Sequence, residues 1–129
     1  MSFSGGILDS KTLIVEDNRS FRGILKDSLQ YLFPSMIIQE AAEGDEALRL
    51  VDSFRPELIF MDIRLPGESG LHLTQKIKTD YPATKVILLT SYDSPQYREA
   101  AIRCGADCFI TKDSLNWEQI KTPVTSHLE

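Results

Sequence analysis

Residues 57–70 read ELIFMDIRLPGESG. The run Glu57–Met61 predicts a short strand that is apolar on both faces instead of alternating. A strand of that kind belongs in the middle of a sheet covered by helices on both sides. The loop RLPGESG that follows leads into a segment with Leu71, Leu73 and Ile77 at helical spacing.

The same alternation extends in both directions. Upstream, Lys11–Val15 (KTLIV) predicts a first strand. Asn18 is placed to cap a helix whose apolar face is Phe21, Ile24, Leu25, Leu29 and Leu32, and Pro34 stops it. Met36–Ala41 predicts a second strand, and Gly44–Phe54 a second helix with Ala47, Leu48 and Val51 inward. Downstream, Lys85–Leu89 (KVILL) predicts a fourth strand, and Ser94-Pro95 a cap followed by a first helical residue. Gly105 predicts the stop of that helix, Asp107–Ile110 a fifth strand, and a last helix begins near Ser114.

Strands alternating with helices imply an α/β fold with a parallel sheet between two helical layers. Five such units suggest a flavodoxin-like (βα)5 three-layer sandwich with strand order 2-1-3-4-5. The site of such a sheet lies beyond the carboxyl ends of its strands, here between strands 1 and 3.

Composition is consistent with this. The 129 residues, 42% hydrophobic and 26% charged, suit a single domain over 1–129 with its core at about 10–122. A net charge of −5 argues against direct binding of nucleic acid by this domain. Cys104 and Cys108, the only cysteines, are expected to be buried free thiols. No apolar run approaches the ~20 residues of a membrane span, and the start lacks a signal peptide's pattern. A cytoplasmic location without a membrane partner is expected.

The residues just past each predicted strand carry the chemistry. Glu16 and Asp17 follow strand 1, Asp62 follows strand 3, Thr90 and Ser91 follow strand 4, and Lys112 follows strand 5. Each alone has an ordinary reading: a helix-capping or turn-forming acid, a turn hydroxyl, a solvated lysine. Together, at one edge of one sheet, three carboxylates repel one another and call for a cation. Hard oxygen ligands with room for water fit Mg²⁺. Asp62 can then serve as a carboxylate nucleophile, with Lys112 and the Thr90 hydroxyl contacting the oxygens of an incoming phosphoryl group.

The segments VEDN, FMDIRLPGESG, ILLTSYD and GADCFITK, together with AAEGDEAL, resemble those of the receiver domains of two-component signalling. The resemblance spans about Lys11 to Lys112. It implies that Asp62 is the phospho-acceptor, and that Glu16, Asp17, Asp62 and the backbone carbonyl of Arg64 hold Mg²⁺. It further implies that Thr90 is the switch hydroxyl, Lys112 the site lysine and Phe109 the switch aromatic. The donor would be a phosphohistidine of a sensor histidine kinase or histidine phosphotransfer domain, docked against Arg19, Arg22 and Lys26 on the outer face of helix 1. The output would be read from the face of helix 4, strand 5 and helix 5, which is also the usual homodimer face. A missing output domain might bind DNA. Such a domain catalyses only its own phosphotransfer and dephosphorylation, so it is not a turnover enzyme. Arg64 and Tyr92, two residues beyond Asp62 and Thr90, resemble the positions flanking the hydrolytic water, and their size predicts slow loss of phosphate.

Two departures stand out. Asp113 occupies the position where the family usually has proline, so the Lys112–Asp113 bond is expected to be trans, with Asp113 or Ser114 capping helix 5. Pro123 falls inside the predicted last helix, whose apolar stripe is Leu115, Ile120, Val124 and Leu128. A proline in a helix interior costs ~3 kcal/mol, which predicts a helix 5 that is short, kinked or ended near Lys121. The final Leu-Glu can be read as vector-derived.

Three other functions compete. A phosphatase of the haloacid-dehalogenase type wants a second Asp two residues after the first, where this chain has Arg64. A dinucleotide site wants Gly-x-Gly-x-x-Gly after strand 1, where this chain has VEDNRSFRG. A receiver that binds partners without phosphorylation is disfavoured by retention of all five site side chains.

Overall fold

The computed structural model describes residues 10–114 and 116–128. The elements alternate as β1 (Lys11–Val15), α1 (Arg19–Leu32), β2 (Ile37–Ala41), α2 (Gly44–Phe54), β3 (Leu58–Asp62), α3 (Gly70–Asp80), β4 (Lys85–Thr90), α4 (Pro95–Arg103), β5 (Cys108–Thr111) and α5 (Trp117–Leu128). All pairings are parallel, in the order β2-β1-β3-β4-β5. This is the predicted (βα)5 sandwich. All five residues of β3 are buried, as its non-alternating apolar run requires.

Successive strand residues feed opposite layers. Leu13, Val15, Ile59, Met61, Val86 and Leu88 pack with α2, α3 and α4 through Ala47, Val51, Leu73, Ile77 and Ala101. Ile14, Leu58, Phe60, Ile87, Leu89 and Ile110 pack with α1 and α5 through Leu25, Leu29, Phe33, Ile120 and Val124. Ile24 departs from its predicted place and is 63% exposed. One residue turns the helix by about 100°, which carries Ile24 out of the stripe set by Leu25 and Leu29.

Local chemistry sets the helix ends. Asn18 Oδ1 accepts from Phe21 N at 3.0 Å, Ser69 Oγ from Leu71 N at 3.1 Å, and Ser94 Oγ from Tyr97 N at 3.2 Å. Three strand boundaries sit one residue later than expected, so that Asp62, Thr90 and Thr111 are the last residues of their strands. Side chains at these ends are therefore positioned by the sheet ladder itself.

The last helix overturns two expectations. It runs on through Pro123 to Leu128 and does not end near Lys121. Proline removes one backbone donor, but Ile120 and Val124 stay buried in the second core, and Thr125 Oγ1 donates to Lys121 O at 2.7 Å on the far side of it. Its start is also later: Asp113 lies in a 3-10 turn (Lys112–Ser114), and the Asn116 carbonyl accepts from Ile120 N at 3.0 Å. The Lys112–Asp113 bond is trans. The side chains of Ser114, Leu115 and Leu128, and the terminal Glu129, lie outside the described residues. Cys104 and Cys108 are free, but half-buried where full burial was expected; what burial they have raises both thiol pKa values.

One close approach ties α3 to the strand that carries the predicted acceptor. Gly70 N donates to Ile63 O at 2.8 Å, and a Cβ at Gly70 would stand 2.0 Å from the backbone oxygen of Asp62. No side chain yields there, so backbone must. Gly70→Ala is expected to lower the unfolding free energy by about 1–3 kcal/mol, because overpacking outweighs the ~1 kcal/mol gain in helix propensity. Urea unfolding with an unchanged m-value checks this; equal or higher stability would show that the α3 start can move away.

Candidate phospho-acceptor site

Parallel register places the chemistry at one edge. Val15 pairs with Met61, Asp62 with Leu89, and Thr90 with Thr111. The next residues, Glu16 and Lys112, therefore emerge on either side of Asp62. Glu16, Asp17 and Asp62 each offer a carboxylate oxygen, all within 4.8 Å of one another. Lys112 Nζ stands 2.5 Å from Glu16 Oε1 and 3.5 Å from Asp62 Oδ1. The contact with Glu16 is one of charge, without hydrogen-bond alignment.

Burial makes this arrangement costly. Glu16 is fully buried and Asp62 is 4% exposed, while Asp17 faces solvent. Glu16 Oε2 accepts from Asn18 N at 2.9 Å, which satisfies one of its two oxygens. Asp62 Oδ1 receives a long bond from Arg64 N, 3.4 Å. Burial and then the charge of Glu16 push the Asp62 carboxyl up to about 7, with Lys112 and the Arg64 N–H opposing them. One lysine thus faces two enclosed carboxylates. Carboxylate oxygens only, one of them on exposed Asp17, form a hard donor set with room for water, which fits Mg²⁺.

The other predicted residues frame the cluster. Thr90 is fully buried, and its Oγ1 accepts from Tyr92 N at 3.0 Å, tying the hydroxyl to the β4–α4 loop. At Arg64 the observed contact with Asp62 is through the N–H, and the guanidinium lies 4.7 Å from the Tyr92 ring centroid, so the two large residues meet. Phe109 is half-buried against the first core.

Arg22 and Lys26, expected with Arg19 on an outer docking face, are both paired. Arg22 Nε and Lys26 Nζ each bind Glu40 at 3.1 Å, and Arg22 also donates to the Glu16 carbonyl at 2.7 Å. Arg19 remains exposed. Phe21, read only as a core residue, has its ring centroid 4.8 Å from Lys112 Nζ. The contacts of Phe21 with Lys112 and of Arg22 and Lys26 with Glu40 cross between separate segments, and no spacing in the sequence signals them.

Comparison with known proteins agrees with this geometry. The family model for the response regulator receiver domain matches residues 12–124. The oxygen regulatory protein NreC of Staphylococcus aureus is 34% identical over 105 residues, which is 81% of this chain and 48% of that protein. The chain spans about half the length of the curated relatives it matches. A CheY-like receiver domain protein from Methanospirillum hungatei superposes with a TM-score of 0.81 at 27% identity, covering 92% of this chain and 95% of that one. A response regulator from Burkholderia pseudomallei, solved with a phosphorylated aspartic acid, calcium ion and citrate, superposes with a TM-score of 0.80 at 30% identity, covering 94% and 67%. The chain belongs to the response regulator receiver domain family.

The raised Asp62 carboxyl has a measurable consequence. Its folded pKa of about 7 lies above the ordinary 3.8, so the folded state holds a proton that the unfolded chain loses first. Stability from this group is present below about pH 4 and lost as pH rises through about 7. Without divalent cations, Asp62→Asn is expected to match wild type near pH 4 and to melt at least a few degrees higher at pH 8. Paired thermal melts across that range check this, and a constant difference would show that Asp62 ionises without cost.

Proposed function

We propose that this domain accepts a phosphoryl group on Asp62 from a phosphohistidine of a sensor histidine kinase or histidine phosphotransfer domain, and that it thereby switches an output. The observation that carries this reading is the carboxylate trio Glu16, Asp17 and Asp62, two of them enclosed, with Lys112 at 2.5 Å from Glu16 and 3.5 Å from Asp62. Asp62 forms the new bond to phosphorus as the phosphorus–nitrogen bond of the donor breaks. Lys112 meets the phosphoryl oxygens as a point charge, and the buried Thr90 hydroxyl donates to one of them. Glu16, Asp17, Asp62 and the Arg64 carbonyl would hold Mg²⁺, which supplies neutralisation of charge on the carboxylates and the phosphoryl group.

The product is a changed state of the domain itself, not a released compound. The phosphorylated-aspartate relative and the match to regulators about twice this length support a signalling role with an output elsewhere in the protein, transcription among the candidates. A homodimer through the α4–β5–α5 face fits a continuous α5. Among the described residues no helix is long and apolar enough to cross a membrane, and a cytoplasmic site of action is part of the proposal.

Incubation with acetyl phosphate or phosphoramidate, followed by intact mass, is the direct test. Wild type is expected to gain one base-labile phosphoryl group only with Mg²⁺, and Asp62→Asn to gain none. Failure of wild type with these donors and with a histidine-phosphorylated donor would overturn the proposal.

Arg64 and Tyr92 stand two residues beyond Asp62 and Thr90 and meet each other, guanidinium to ring centroid 4.7 Å, and in the proposed reaction this bulk would hinder a water attacking the acyl phosphate. The double variant Arg64→Ala/Tyr92→Ala is expected to lose its phosphoryl group severalfold faster than wild type. Release of inorganic phosphate after donor removal measures this, and equal rates would show that the pair does not gate water.

A further inference from the structure

We propose that Arg98 is a positioning residue that holds the Phe109 ring in its resting place and is itself held by Asp93, so that the β4–α4 loop and the β5 aromatic change state together. This rests on the phospho-acceptor reading for its purpose but on separate contacts for its geometry. Arg98 Nε lies 2.6 Å from Asp93 Oδ1, and its guanidinium carbon lies 4.9 Å from the Phe109 ring centroid. One side chain on α4 thus touches both the loop before α4 and the strand beside it.

The two ends of this bridge differ in freedom. Phe109 sits in the ladder opposite Leu88, so its backbone is fixed and only its ring can turn. Asp93 lies in the exposed loop, one residue beyond Tyr92, whose N–H is bonded to Thr90 Oγ1 at 3.0 Å. Arg98 N donates to Ser94 O at 3.1 Å, which seats Arg98 in the first turn of α4, adjacent to that loop. A displacement of Thr90 therefore reaches Asp93 through one backbone step and reaches Phe109 through Arg98. The Asp93 carboxyl is held below its ordinary range by the guanidinium beside it. Both contacts face solvent, and each biases a two-state population by about two- to fivefold. A bias that small holds a resting state and still yields to a phosphoryl group.

The test compares wild type, Arg98→Ala, Arg98→Lys and Asp93→Asn by two readouts. The first is aromatic NMR of the unphosphorylated protein with labelled Phe rings, Phe109 being identified by its loss in Phe109→Leu. Phe109 signals are expected to move in Arg98→Ala and, in the same direction, in Asp93→Asn, toward their position in wild type with beryllofluoride and Mg²⁺. Arg98→Lys, which keeps the charge without the planar stack, is expected to lie between. The second is phosphorylation by phosphoramidate, expected to quicken about 3–10-fold in Arg98→Ala. Phe109 signals that stay at the wild-type position in Arg98→Ala, or that move there but not in Asp93→Asn, would overturn the coupling. A Phe109 response in a protein that takes up no phosphoryl group would support the coupling and overturn the phospho-acceptor reading.

Discussion

Two enclosed carboxylates share one ammonium group at the carboxyl edge of the sheet. Glu16 and Asp62 sit almost without solvent, and Lys112 faces both. A buried carboxylate is tolerated only with partners, and here the partners fall one positive charge short. The rest of the fold serves this deficit. The β1 and β3 ladders hold the acids in register, the Arg22 guanidinium grips the Glu16 carbonyl, and the Phe21 ring lies against the lysine. A site built this way is poised for whatever restores the balance, whether a proton, a divalent cation or both.

Most of the fold was legible in the sequence because the sheet is buried on both faces. Central strands such as Leu58–Asp62 carry their position in unbroken apolar runs, and the caps Asn18 and Ser94 stand at helix starts. The candidate site was legible for a related reason: each of its side chains directly follows or ends a strand, and parallel topology converts that local fact into proximity. What escaped was everything that depends on contact between distant segments. Ile24 obeys helical spacing well enough to look inward, yet nothing in the sequence says how wide a stripe the sheet covers. Arg22 and Lys26 read as part of an outer docking face because Glu40, their shared partner, lies on β2 and gives no local sign of the pairing. Pro123 read as a place where the helix is short, kinked or ended because local propensity is all that a sequence displays, whereas Ile120 and Val124 supply the tertiary burial that carries the helix on. Gly70 carried no mark of the 2.0 Å constraint above it.

Family membership and local geometry answer different questions here. Membership of the receiver family is consistent with the acids, the hydroxyl and the lysine that the sequence resemblance marked as site residues. The aromatic contacts of Arg64 with Tyr92 and of Arg98 with Phe109 belong to this chain's own side chains. The first joins the loop after β3 to the β4–α4 loop and the second joins α4 to β5, and both are made by guanidinium groups on aromatic rings. In the proposed function, timing and resting bias would be set by residues that take no part in bonding to phosphorus.

The opposite end of the sheet is built on another plan. There Lys78 Nζ binds the carbonyls of Thr84 and Pro82 at 2.8 Å and 3.3 Å and Asp107 Oδ2 at 3.0 Å, while that same oxygen accepts from Val86 N at 2.9 Å. A single α3 lysine rivets the beginnings of β4 and β5 together. Under the proposed function, β4 and β5 would answer events at Asp62 with their starts clamped, like the leaves of a fan held at the pin. Such a clamp would confine motion to the carboxyl rim of the sheet. The lever arm of the domain is only the length of a strand, and a change of an ångström at the rim need not disturb the core on which it pivots.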